Sequence, residues 1–108
     1  MNREDIRNEV RATLPVELTA LSDTYLNNLI NRGVRYIGRR YPFPVSIVDL
    51  DSDADEPAFA EEFHWLVVEW VAATIFMNAG DMETGGALMQ LFDVGVRDMI
   101  KFYTGGRT

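Results

Sequence analysis

Residues 65–77, WLVVEWVAATIFM, limit how this chain folds more than any other stretch. With the residues before them they predict a helix over 57–78. At helical spacing, Phe59, Phe63, Leu66, Val67, Trp70 and Met77 make one apolar face. Trp65, Val68, Ala72, Phe76 and Ala79 make a second on nearly the opposite side, and only Glu62 and Glu69 mark a narrow polar edge. A helix apolar nearly all round must be buried nearly all round. A chain of 108 residues makes one domain, burying roughly two-thirds of its unfolded surface, so partner helices are few. Leaving Trp65 and Phe76 in water would forgo about 1.5–3 kcal/mol each. Either this is the central helix of a tight bundle or its second face meets another subunit, and the subunit contact is the favoured expectation. The run is too short, and too interrupted by Glu69, to span a membrane.

Three more helices are predicted around it. Ile6, Val10 and Leu14 recur every four residues, giving a first helix over 3–14 that stops before Pro15. Ser22 is a good N-cap and Leu21 can pack on Leu26, so a second helix is expected over 22–41. Its Leu26, Leu29, Ile30, Gly33, Val34 and Ile37 fall within about 140° of arc. Asn28, Arg32, Arg35 and Arg39 lie opposite. Pro57 fits the first turn of the third helix, with Asp55 or Glu56 as its cap. Gly80 suits a left-handed stop after that helix. Asp81 then caps a fourth over 81–103, with Leu88, Leu91, Phe92, Val96, Met99 and Tyr103 on one face. Residues 104–108, TGGRT, are expected to be a flexible tail. The fold class is therefore all-α: a small bundle of about four helices with one long extended loop over 42–56. That loop has room for a short strand or hairpin.

Charge is segregated along the chain. Residues 1–40 carry seven arginines and five acids, residues 41–96 eleven acids and no Lys or Arg, and residues 97–108 a balance of +2; the total is −7. Oppositely signed surfaces suit head-to-tail contacts between copies or contacts with different partners. The charged start, MNREDIRNEV, has no signal-peptide pattern, and a soluble cytoplasmic chain is expected.

Catalysis is not expected, nor is a cofactor. The single histidine, His64, sits beside Trp65 as a structural residue, there is no cysteine, and GDMETGG lacks the spacing and lysine of a phosphate loop. The acidic run DLDSDADE raises the one metal question. Asp51, Asp53, Asp55 and Glu62 fall at positions 1, 3, 5 and 12 of a calcium loop. Glu56 stands where that loop needs glycine, and Pro57 follows, so no metal is assigned. The run is then a solvated connector, or a docking or repulsive surface carrying Asp49, Asp51, Asp53 and Asp55. The arginine stripe has phosphate-contacting chemistry, which keeps a small nucleic-acid-binding or regulatory module as an alternative; a calcium-binding domain is the less favoured one.

The stretch LSDTYLNNLINRGVRYIGRRYPFP, residues 21–44, resembles the second-helix signature of small head–tail connector, or adaptor, proteins of tailed bacteriophages and related prophage elements. The element order matches too, although the acidic insert has no counterpart in that pattern. The resemblance implies a structural virion protein of the neck, assembled in the host cytoplasm. It would form a portal-associated ring, usually of twelve subunits, that extends the DNA channel and joins the head to a stopper or tail protein. DNA would pass through without specific binding, and no membrane is involved. It implies a portal contact at Lys101 and Arg107. The residue reading agrees with a ring, with subunit contacts expected through Arg32, Arg35, Arg39, Trp65 and Phe76, and an acidic loop lining the channel would repel phosphates.

Overall fold

Three of the four helices begin at a side chain that accepts a backbone N–H, which is how a helix start satisfies its orphan donors. The computed structural model describes residues 1–44 and 46–105 and is all-helical: α1 is Arg3–Thr13, α2 Asp23–Gly38, α3 Trp65–Asn78 and α4 Met82–Tyr103. Asn2 caps α1 in a reciprocal capping box with Asp5, Ser22 accepts from the Tyr25 amide, and Asp81 accepts from the Thr84 amide. The α1 helix ends at Leu14, whose extended backbone is what a following proline favours. Gly80 takes φ +89° between α3 and α4, as expected of a left-handed stop.

The third helix departs from expectation. It begins at Trp65 rather than at residue 57, entering from a short 3₁₀ turn, Glu61–Phe63, without a side-chain cap. Residues 57–60 are tied down by tertiary contacts instead. Phe59 and Pro57 are buried, the Ala60 amide donates to the Tyr103 hydroxyl at 2.7 Å, and the Phe59 carbonyl lies 2.9 Å from His64 Nε2. Asp55 is not a helix cap, because its carboxylate accepts the Asp51 and Ser52 amides within its own loop. The second helix stops at Gly38, three residues early. The loop after it contains no strand among the described residues.

The core lies where α3 packs between the other helices. Ile6 and Val10 of α1, Leu26, Ile30, Val34 and Ile37 of α2, Val67 and Val71 of α3, and Phe92 and Met99 of α4 are fully enclosed. Glycines set the closest approaches. A Cβ on Gly85 would fall 3.0 Å from the Ala73 carbonyl oxygen and closer still to Met77, and one on Gly33 would fall 3.0 Å from the Trp70 ring. Tyr36 joins α2 to both α3 and α4, its ring 5.9 Å from that of Trp70 and 5.8 Å from that of Phe92. The YPFP turn is pinned by rings as well: Phe43 meets Tyr103 edge-on at 5.0 Å and lies 6.1 Å from Phe59. None of the described helices is long and apolar enough to cross a membrane.

Phe76 and Trp65 have separate fates. Phe76 is 8% exposed and Ala72 is fully buried, so most of the second face of α3 is covered by its own chain. Phe76 therefore does not wait for a neighbouring subunit to be covered, as befits the central helix of a tight bundle. Trp65, at the open N-terminal end of α3, remains 49% exposed. A bare apolar stripe lies instead on α4. Leu91 (60% exposed), Val94 and Phe102 are solvent-facing and fall within about 80° of one another at 100° per residue. Of the two neighbours expected on the core face, Phe92 is fully buried and Leu91 faces solvent.

Candidate functional site

The acidic loop is a strap rather than a free patch. Asp53 lies against α1, where Arg7 Nη1 donates to Oδ1 at 2.6 Å and Nη2 to Oδ2 at 3.1 Å. Arg3 Nε donates to the same Oδ1 at 3.0 Å, and the Arg3 and Glu4 amides donate to the Asp55 and Asp53 carbonyls. The two guanidiniums hold the Asp53 carboxyl well below the usual carboxylate range, at about 2. Arg7 is itself buried, bonds Asn27 as well, and has its own pKa raised chiefly by the Asp53 bond. One turn earlier in the loop, Asn31 of α2 bonds both backbone groups of Leu50, accepting from its N–H at 2.8 Å and donating to its carbonyl at 3.2 Å. Asp49 pairs with Arg35 through both carboxylate oxygens, at 2.8 and 3.0 Å.

This geometry redistributes the residues singled out from sequence. Asp49, Asp53 and Asp55 are engaged within the chain, by Arg35, by Arg3 and Arg7, and by loop amides. Asp51 is exposed, and its carboxylate has no partner among the described residues. Glu62 sits elsewhere, in the 3₁₀ turn before α3, and the described residues hold no group of three or more His, Asp or Glu close enough to bind a metal ion. The long-range ties of Asp53 had no local signal, since Arg3 and Arg7 are 50 and 46 residues away.

His64 is buried with both ring nitrogens occupied. Nε2 faces the Phe59 carbonyl, an acceptor, so that nitrogen carries the proton, and Nδ1 is left to accept from the Met1 amine at 3.0 Å. Its ring packs edge-on to Phe59 at 5.5 Å. This is a positioning role for the segment before α3.

Two surface clefts lie along the second half of α2. One, of about 290 Å³, is lined by Arg32, Arg35, Tyr36, Arg39 and Trp70. The other, of about 310 Å³, shares Arg35 and Arg39 and continues over Tyr41, Pro42 and Phe43. Arg32 sits over the Trp70 ring at 5.8 Å and Arg40 over the Tyr36 ring at 3.9 Å, which orients both guanidiniums without neutralising them. Arg35 is neutralised by Asp49; Arg32 and Arg39 have no carboxylate partner among the described residues. A third hollow, of about 370 Å³, lies at the opposite kind of surface, lined by Met1, Glu9, Glu61, Glu62 and the exposed Trp65. Lys101 is exposed in the last turn of α4, and Arg107 lies outside the described residues.

Comparison with protein-family models, with curated proteins and with solved structures finds no match to this chain.

Proposed function

We propose that the chain is a structural, self-associating protein, a head–tail connector of the tailed-phage type that builds a ring around a DNA channel. One observation carries the self-association. A small, otherwise well-packed bundle leaves Trp65, Leu91, Val94 and Phe102 in water, more large apolar surface than a monomer of this size needs. The connector identity rests on the likeness of residues 21–44, LSDTYLNNLINRGVRYIGRRYPFP, to that family's second-helix signature. Two further features fit a conduit: a net charge of −7, which keeps duplex DNA from adhering, and the carboxylate of Asp51, exposed and without a partner among the described residues, on an otherwise internally tied loop.

Electron microscopy of the purified chain, paired with a duplex-DNA binding assay at about 150 mM salt, tests the proposal. The expected result is closed rings with an open centre and no retained DNA. Monomers that bind duplex DNA with a steep salt dependence, lost in Arg32→Ala/Arg39→Ala, would instead make the chain a nucleic-acid-binding module.

A further inference from the structure

The basic cleft and the acidic hollow are complementary and do not share a residue. Arg32 and Arg39 project from α2 beside Trp70, two guanidiniums without a carboxylate among the described residues. Glu9 and Glu62 likewise lack a cationic partner among the described residues, and Glu61 has only the Met1 amine at 3.7 Å. Between these carboxylates lies a half-exposed indole. Trp65 and Trp70, one in each surface, are five residues apart on α3, which turns them about 140° from each other. One chain therefore cannot close the two surfaces on each other, but two chains can.

We infer that the Arg32–Arg39 cleft of one copy receives the Glu61–Glu62–Trp65 surface of a second copy, in a head-to-tail contact that leaves one surface of each kind open at either end. This rests on the reading that the chain assembles with itself, and it names the contact. A second copy fits better than a free anion or a nucleic acid, because the cleft's chemical complement is carried by the same chain. Carboxylates meet guanidiniums there, and the Trp65 ring offers a face on which a guanidinium stacks. Head-to-tail contacts of this kind propagate until a rotation closes them into a ring. The Arg35–Asp49 pair borders the cleft and keeps its middle neutral, so the cleft has two cationic ends for two acids rather than one broad basic patch.

Charge exchange tests the contact. In sedimentation velocity on the full chain, Arg32→Glu/Arg39→Glu and Glu61→Arg/Glu62→Arg should each self-associate at least about tenfold more weakly than wild type. Mixed in equal amounts they should recover association, because each contact between unlike variants is again complementary while like variants repel. All four positions are exposed, and circular dichroism should give the wild-type helix signal; the milder Arg39→Gln and Glu62→Gln should weaken association in the same direction. If the wild type assembles while the variants assemble equally well, or the mixture fails to recover, the inferred contact is wrong and self-assembly stands through another surface. A wild type that stays monomeric throughout overturns both.

Discussion

Where α3 meets α4, glycine lets two backbones come close: Gly85 lies over the Ala73 carbonyl, and Gly95 leaves its space to the Leu66 methyls. Where α1 meets the acidic loop, the joint is ionic, with Arg3 and Arg7 closing on Asp53. The first joint rests on excluded volume and buried apolar area, which are indifferent to protons and nearly so to salt. The second depends on the ionisation of a single half-exposed carboxylate. The lesson is that the chain's acidic stretch, which looks like a site for something else, helps fasten its own first helix, whose Ile6 and Val10 sit in the apolar core.

The most severe way to break that contrast is Arg7→Ala. Removing a buried guanidinium that bonds Asp53 and Asn27 should cost about 3 kcal/mol in denaturant unfolding at neutral pH. A cost below about 1 kcal/mol would mean that the strap does not fasten α1. On the apolar side the glycines grade themselves. Gly85→Ala should destabilise by about 1–2 kcal/mol, because a backbone carbonyl cannot move aside. Gly95→Ala should be close to neutral, since only the end of Leu66 must turn and helix propensity improves. Gly86→Ala meets no atom of the described residues within 4 Å and should stabilise by about 0.5–1 kcal/mol.

Acid unfolding sharpens the comparison further. Unfolded Asp53 takes up a proton near its ordinary 3.8, whereas the folded carboxyl resists until about 2. The unfolded chain thus binds more protons in that window, and stability present above about pH 4 is lost as pH falls toward 2. Asp53→Asn should flatten this acid limb, and Gly85→Ala should leave its shape unchanged. Asp23, Asp55 and Asp81 are shifted in the same direction and will keep part of the slope. A smaller pH-dependent effect of opposite sign belongs to Glu69, on α3. Burial pushes its carboxyl above the ordinary value, and one of its oxygens has no hydrogen-bond partner among the described residues. The folded form holds its proton longer, so stability falls as pH rises through that window and the deficit persists at neutral pH. Glu69 is only partly buried, so Glu69→Gln should raise Tm by about 1–3 °C at pH 7 and change little at pH 4.

The parts of this fold legible in the sequence are those written locally. The six apolar positions of α2, from Leu26 to Ile37, are all buried as their spacing requires, and Ser22, Gly80 and Asp81 act at helix ends as their chemistry suggests. Signals that depend on distant partners were misread. Pro57 marks a helix start by local rules, but Phe59 and Ala60 are held by His64 and Tyr103, and α3 waits until Trp65. Two apolar faces on α3 suggested a missing subunit, whereas the bundle itself covers Phe76 and leaves bare the α4 stripe at Leu91 and Val94. At the candidate surfaces, the arginine stripe was found from its spacing. That Arg35 is consumed by Asp49 while Arg32 and Arg39 have no carboxylate partner among the described residues is visible only in three dimensions.

Sedimentation equilibrium of the full chain, from micromolar to millimolar concentration in low and in high salt, bears on self-association most directly. The average mass should climb with concentration in low salt and retreat toward that of one chain as salt screens the arginine–glutamate contact. A mass of 12.3 kDa at every concentration and both salts would contradict it.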